Sequence, residues 1–406
     1  MNIKPCIIGL GYVGLPILAE LSKKFNVMGY DIDKKRINSL GLHYDFNNEL
    51  KKKDLLKIKQ KNLTDNYQHI KRCNFYIVCV PTPVNKNKIP DIRLLKDTCK
   101  KLGKVLKKKD IIVFESTVFP GTSEDICAPI LEKSSKLKNN KDFYICYSPE
   151  RINPGDKEHV VKKIKKLIAI PNSNIKKKVL NVYSQITKKI VLSSSIKETE
   201  LSKVIENIQR DLNIALMNEI YLFCDKTNLN FNNVLNQAST KWNFVKYNPG
   251  LVGGHCLPVD PYYFSHVAKK NGLKTNVTIA GRITNEFMCN FVIKKIKKEI
   301  NLNKSFKKSS DKIIFAGLSY KKNVSDIRNS LALKIYKSFQ RKNKNIFAFD
   351  PLISSEKIKN SISSDDLKSI KNVKYIIFLV YHDIFKKIFK KINKKIKIIK
   401  FFDNNI

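Results

Sequence analysis

No apolar run in this 406-residue chain reaches the roughly 20 residues that a membrane-spanning helix needs, so no span and no membrane partner are expected. The N-terminus is apolar, but it holds GLGYVG and no small-residue cleavage site, which argues against a signal peptide. The nine cysteines, at 6, 73, 79, 99, 127, 146, 224, 256 and 289, include no CxxC pair. Their odd number and their places in apolar runs such as FYIVCVP read as reduced, buried thiols of a cytoplasmic protein, not as a disulfide or zinc framework. Arginine is scarce, found only at 36, 72, 93, 151, 210, 282, 328 and 341. Lysine fills the rest of the basic count, and the formal charge of +43 raises the question of a nucleic-acid partner. Abundant Asn and Ile beside the Lys point instead to an AT-rich coding sequence, with a selected polyanion surface as the alternative. The charge is spread over helix faces and not gathered in a known reader motif, so no nucleic-acid partner is expected.

What the chain does have is length for two or three domains and an ordered series of α/β signals. IKPCII reads as a buried strand, GLGYVG as a turn, LPILAELSKKF as a helix and NVMGYDID as a second strand. More strands are expected at NFYIVCVP, DIIVFEST and DFYICYSP, with Lys-rich helical stretches between them. Strands alternating with helices imply a parallel, doubly wound sheet that ends near residue 195. From Lys197 to Thr227 there is no Gly or Pro, and apolar residues recur at helical spacing. This predicts one long helix, of the kind that bridges domains or forms a dimer core. Shorter helices and loops are expected from there to about 300. A second α/β pattern opens at DKIIFAGLSYK, with NKSFKKSSDK as the boundary loop. The expected architecture is two Rossmann-like domains, 1–195 and 304–406, joined through a helical middle domain, 196–303.

Gly9, Gly11 and Gly14 form GxGxxG after a strand and before a helix. The first permits the tight turn, the second a close approach of backbone to a pyrophosphate, and the third close packing of helix on strand. Tyr12 and Val13 sit in the same loop, whose helix N-terminus offers N–H groups to phosphate. Asp31 ends the next strand, where its carboxylate can accept from a ribose diol and would repel a 2′-phosphate. That favours NAD over NADP. Arg36 is expected to lean over the adenine or ribose. Thr82 and Thr117 end later strands at the edge where a cofactor lies, with plain turn-capping as the alternative for each.

GGHCLPVDP, residues 253–261, allows three readings of Cys256. Adjacent His255 and Cys256 cannot easily bind one tetrahedral ion, and no second ligand pair stands at a familiar spacing. Tandem glycines before the thiol and Pro258 after it indicate a loop, which disfavours a core thiol. A nucleophile fits best, with Asp260 placed to order water or share a proton network.

Taken together, STVFPGT, SPERINPGD, KVIEN, KWNF, GLVGGHCLPVDP and GLSYKKNVSDIRNS resemble the UDP-glucose/GDP-mannose dehydrogenase family, in order and over nearly the whole chain. KWNF followed by PGLVGGHC is most similar to the bacterial enzymes acting on UDP-N-acetylhexosamines, with UDP-glucose or UDP-N-acetylmannosamine as the alternatives. The resemblance implies two successive NAD-dependent oxidations of a sugar primary alcohol to a uronate for surface polysaccharide. It implies that Cys256 carries the thiohemiacetal and thioester, that Lys203 and Asn207 stabilise the substrate oxygen, and that Asp260 works with water and the lysine. It further implies that Glu150 is the base for hydrolysis and that Thr117 helps to hold the water. Arg151, Ile152, Arg210, Gly253, Tyr320, Lys321 and Arg328 match positions contacting UDP-sugar, Arg328 also the cofactor. Lys241 stands where several relatives place an Arg reaching into a neighbouring subunit, and the change to Lys puts that contact in doubt. A homodimer or higher oligomer is expected. His255 reads as a loop-shaping or sugar-contact residue. A two-electron hydroxyacid dehydrogenase would share the N-terminal fold and the Lys/Asn pair, but would not explain Cys256 or the second nucleotide fold.

Overall fold

The computed structural model describes residues 2–46, 49–151, 163–193, 195–302, 307, 309–341, 343–390 and 395–402. Half of NKSFKKSSDK and the predicted contact residue Ile152 therefore lie outside the described residues. The chain forms two compact units, 1–206 with 262–273, and 207–261 with 274–406. No helix among the described residues is long and apolar enough to cross a membrane.

The first unit is built on an eight-stranded sheet. Its strands are β1 (Pro5–Ile8), β2 (Met28–Tyr30), β3 (Leu63–Thr64), β4 (Phe75–Val78), β5 (Ile111–Phe114), β6 (Tyr144–Tyr147), β7 (Lys166–Ala169) and β8 (Ile190–Ser193). They lie in the order β3-β2-β1-β4-β5-β6-β7-β8. β1 is wholly buried, and a strand so placed reads as a continuous apolar run. Pro5 is tolerated because it opens the strand. β1 pairs in parallel with β2 on one side, Ile8 opposite Tyr30, and with β4 on the other, Ile8 opposite Val78. The chain order reverses direction across the sheet at β1, so a crevice opens at the carboxyl ends of β1 and β4. Helices α1 (Gly14–Leu21) and α2 (Ser173–Ile186) help to form the core, with Leu15 and Leu18 beside Val179 and Val182.

β7 and β8 were not expected from the sequence. The pairing of Tyr147 with Ala169 is antiparallel, which ends the parallel series. β7 escaped notice because it opens inside a run of lysines, and its first residue, Lys166, is 1% exposed.

The predicted long helix is α3 (Ile196–Thr227), 32 residues. Its first turns belong to the first unit and the rest to the second. Helix α4 (Asp260–Lys270) follows the cysteine loop, with Pro261 in its first turn, where a missing N–H costs nothing. The expected shorter helices up to 300 include α4 and end in α5 (Asn276–Leu302), a helix of 27 residues. In the structure, a Cβ at Gly281 would come 2.5 Å from Leu212 Cδ2, so glycine here permits two long helices to approach closely. Asp211 and Arg282, each 1% exposed, form a 2.6 Å ion pair across that contact. Asn285 donates to Asp211 Oδ1 at 2.8 Å and accepts from Asn218 at 2.8 Å.

The second unit also holds a four-stranded, all-parallel sheet in the order β10-β9-β11-β12. The strands are β9 (Lys312–Ala316), β10 (Ile346–Phe349), β11 (Val373–Phe378) and β12 (Lys397–Lys400). Helix α6 (Leu331–Gln340) is capped by Ser330, whose side chain accepts from Leu333 N. It packs Tyr336 and Phe339 on Phe315 of β9, with ring centroids 5.9 and 5.2 Å apart. The same core takes in Val292, Ile296 and Ile300 of α5.

Candidate active site

Gly9 turns the chain at the end of β1 with φ +93°, a conformation that side chains other than glycine resist. Leu10 N then donates to Asp31 Oδ2 at 2.8 Å, and Asp33 N to Asp31 Oδ1 at 3.0 Å. The carboxylate at the end of β2 is thus aimed and only partly buried, with acceptor capacity left for a diol. A Cβ on Gly14 would lie 1.9 Å from Gly9 O, whereas one on Gly11 would meet nothing within 4 Å. Packing explains Gly14, while the open face over Gly11 fits a phosphate approached by backbone, next to Tyr12, Val13 and the start of α1. The donor set fits NAD. Gly14→Ala is expected to weaken NAD binding at least about tenfold, because turn and helix must separate to admit the methyl. Titration calorimetry with NAD on variant and parent checks this, and an unchanged Kd would refute it.

Arg36, expected to lean over the adenine or ribose, lies inside the fold. It is 3% exposed. Its Nε donates to Leu10 O at 2.9 Å and its Nη1 to Asp45 at 2.6 Å, with Phe46 under the guanidinium at 4.8 Å. Buried guanidinium needs acceptors, and these two draw it beneath the glycine turn as a brace. Its Nη2 is buried without a hydrogen bond.

Thr82 and Thr117 stand beyond the ends of neighbouring strands β4 and β5. Thr82 Oγ1 donates to Thr117 O at 2.5 Å, so the two turns hold each other. Thr82 O in turn accepts from the hydroxyl of Tyr263. Beyond β6, Glu150 is 6% exposed and Arg151 is paired with Glu206 of α3. Glu150 is also bound by Lys166, a partner that the sequence reading missed.

Lys203 is 7% exposed and has no hydrogen bond or ion pair among the described residues. The side chain is largely enclosed, and an ammonium with no acceptor among the described residues is available to a ligand oxygen. One turn further along α3, Asn207 Nδ2 donates to Asp260 Oδ2 at 2.5 Å. Asp260, 1% exposed, is tied to the cysteine loop, since its N–H donates to Cys256 O at 2.8 Å. Within the second unit, then, the tight turn that starts α4 carries Cys256 and Asp260, and Asn207 of α3 is bound to that turn through Asp260. Cys256 itself is half-buried on that loop, in keeping with the loop reading and not with a core thiol.

The loop carrying Cys256 rests on the loop between β9 and α6. Gly254 has φ +90°, and a Cβ there would lie 2.7 Å from the Tyr320 ring. At Gly253 it would lie 2.7 Å from Asn329 O. Asn329 donates to Gly254 O at 3.0 Å. His255 Nε2 meets Asp326 Oδ2 at 3.0 Å, and the same carboxylate takes Arg328 through two of its nitrogens. Burial alone would raise the Asp326 carboxyl, but the hydrogen bonds from His255 and Arg328 and the Arg328 charge outweigh it and hold it well below the usual range. His255 therefore joins the cysteine loop to the segment carrying Tyr320, Lys321 and Arg328. Lys321, Arg210 and Lys241 are exposed.

The turn of the first sheet is repeated in the second. Gly317 follows β9, Leu318 N donates to Asp350 Oδ2 at 2.7 Å, and Leu352 N to Asp350 Oδ1 at 3.1 Å. Here, however, the acid is 5% exposed and takes His382 Nε2 at 3.2 Å. His382 Nδ1 accepts from Asn323 N at 2.9 Å, which fixes the Nε2–H tautomer. The signal for His382 was available, as one of six histidines, placed just after a strand.

Comparison with known proteins completes the description. Residues 1–187 match the NAD binding domain of the UDP-glucose/GDP-mannose dehydrogenase family, 197–287 its central domain and 314–405 its UDP binding domain. A UDP-N-acetyl-D-glucosamine 6-dehydrogenase of Salmonella typhi is 40% identical over 389 residues, 95% of this chain and 91% of the relative. A UDP-N-acetyl-D-mannosamine dehydrogenase of Pyrococcus horikoshii is 34% identical over 359 residues, 86% of this chain and 83% of the relative. The solved structure of a UDP-D-ManNAc dehydrogenase from Pyrococcus horikoshii shares the fold with a TM-score of 0.84 at 28% identity, covering 98% of this chain and 95% of that one.

Proposed function

This chain belongs to the UDP-glucose/GDP-mannose dehydrogenase family and is an NAD-dependent UDP-sugar dehydrogenase, and from that premise we propose that it oxidises a UDP-N-acetylhexosamine twice, to the uronate, through Cys256. The observation that carries the proposal is the bond from Asn207 to Asp260 on the turn that also carries Cys256, with Lys203, whose ammonium has no acceptor among the described residues, four residues before Asn207. The N-acetyl preference is supported by the 40% identical relative.

The chemistry that NAD supplies when bound is hydride acceptance, once in each oxidation. Gly9, Gly11, Tyr12, Val13, Gly14, Asp31, Thr82 and Thr117 would hold it, with Arg36 bracing the turn from beneath. Arg151, Arg210, Gly253, Tyr320, Lys321 and Arg328 would hold the nucleotide sugar, the cations against its diphosphate. Lys203 and Asn207 donate to the sugar oxygen as it gains negative charge. The Cys256 thiol adds across the aldehyde C=O to give a thiohemiacetal, whose oxidation leaves a thioester. Asp260 keeps the Asn207 amide aimed and takes part in ordering the water. Glu150 takes a proton from water as its oxygen attacks the thioester carbonyl, the C–S bond breaks, and uronate and Cys256 are released.

The assignment places NAD binding in 1–195, the cysteine loop in 196–303 and UDP-sugar binding in 304–406. A homodimer belongs to the same proposal, and its support is the exposure of Leu216 and Phe223 on α3 and of Ile283 and Phe287 on α5.

A panel of UDP- and GDP-sugars, scored for NADH and product mass, tests the reading. UDP-N-acetylglucosamine or its galacto epimer is expected to yield about two NADH per uronate. Turnover of UDP-N-acetylmannosamine alone would move the substrate to the second reading, which the 34% identical relative favours. One NADH per product would remove the thioester, and no NADH with any sugar would overturn the proposal.

A further inference from the structure

Two members of a buried charge cluster in the first unit, Lys166 and Glu115, have no part in the reaction as described. Lys166, at the start of β7, lies between two carboxylates. Its Nζ is 2.6 Å from Glu115 Oε2 and 3.1 Å from Glu150 Oε2. Glu115 follows β5, and its other oxygen accepts from Tyr183 OH of α2 at 2.6 Å. Lys166 and Glu115 are each 1% exposed and Tyr183 is fully buried. Glu150 Oε1 accepts from Arg151 N at 2.6 Å. Burial pushes Glu115 up to about 7 even against the pull of Lys166. Burial also opposes the charge on Lys166, but the two carboxylates outweigh it and raise its pKa.

Holding one ammonium and two carboxylates out of water is costly, and apolar packing would join these strands at less cost. The arrangement has a direction. Glu115, with the short contact and the Tyr183 hydroxyl, anchors Lys166. Glu150, with the longer contact, is the member nearest the end of β6 and the one with a catalytic assignment. We propose that Lys166, anchored by Glu115 and Tyr183, is the positioning residue that aims the Glu150 carboxylate for the proton transfer releasing the uronate. This rests on the reading of Glu150 as the hydrolytic base. Lys166 neither gains nor loses a proton in the step: the water proton goes to Glu150, the water oxygen to the carbonyl carbon, and the electron pair of the breaking C–S bond to the Cys256 sulfur.

Lys166→Met alone leaves two carboxylates facing each other and risks misfolding. The decisive variant is Lys166→Met/Glu115→Gln, which removes the ion pair in a charge-balanced way, tested as the full chain beside the parent and Glu150→Gln. Each is mixed with NAD and UDP-N-acetylglucosamine, or whichever sugar the panel selects. Readouts are the pre-steady-state NADH burst per chain, steady-state kcat and KM, and intact mass after acid quench. The double variant is expected to keep a burst of about two NADH per chain, lose at least about tenfold in kcat, hold KM within about threefold, and accumulate the acyl adduct, as Glu150→Gln does. A purely structural cluster gives a different result: the folded double variant turns over within about twofold of the parent, which would overturn the proposal. So would a burst and kcat lost together with NAD affinity. Failure of the underlying reading looks different again, because Glu150→Gln itself would then accumulate no adduct, and the role of Lys166 would fall with it.

Discussion

Cys256→Ser is expected to stop uronate formation, lowering kcat for the full reaction on the order of 10³-fold or more. The loss belongs to the side chain and not to the loop. Cys256 is anchored through its carbonyl, which accepts from Val259 N and Asp260 N, and a serine at this position keeps both bonds. The substituted hydroxyl is a far weaker nucleophile than a thiol near neutral pH, so capture of the aldehyde fails. The first oxidation does not require the thiol, so a single NADH per chain should still form, and a carbonyl trap such as a hydrazine should intercept aldehyde. Product mass with and without the trap checks this. Unchanged uronate yield would remove Cys256 from the mechanism.

Arg282→Met is expected to cost about 3–5 kcal/mol of stability, since it leaves a buried carboxylate without its cation. Asp211 is 1% exposed and sits between α3 and α5. Burial already pushes its pKa up, and Arg282 is the strongest force in the other direction. Without the guanidinium the folded-state value rises further above the unfolded one. The folded state then binds more protons than the unfolded state between those two values, so stability falls as pH rises through that window. The penalty should therefore be smaller at about pH 5 than at about pH 8. Arg282→Met/Asp211→Leu should recover most of the loss, because apolar side chains of similar volume can replace a buried pair. Urea titrations at both pH values measure this, and a single-variant cost below about 1 kcal/mol would show that the pair carries no such burden.

Several parts of this molecule could be read from residue order because their signals are local. GLGYVG announces its turn, and Asp31 its place at the end of β2. The helix Ile196–Thr227 follows from an unbroken apolar period. What stayed hidden depends on partners distant in sequence. Lys166 looks like any other lysine in VVKKIKKLIAI until β7 is paired and the residue lies between Glu115 and Glu150. The close approach at Gly281 is invisible until Leu212 is seen against it. Arg36 reads as a cation for the adenine or ribose until Leu10 O and Asp45 are found to receive it. At the candidate site, the motifs picked out Cys256, Asp260, Lys203 and Asn207, while the Asn207–Asp260 bond and the His255–Asp326 link required the fold. The uniform lysine content explains much of this gap, since it makes a buried cation look like its solvated neighbours.

The closed turn of the second sheet has a thermodynamic consequence. His382, Asp350 and Ser319 already fasten residues 317–323, the last through Ser319 Oγ donating to Lys321 O at 2.7 Å. Ordering a residue costs roughly 1–2 kcal/mol of backbone entropy, and for this segment that loss falls on folding and not on ligand capture. A nucleotide reaching the UDP binding domain would thus meet a backbone already ordered over these residues, and more of its interaction energy would appear as affinity. His382, wholly buried, would then help to govern how tightly it is held.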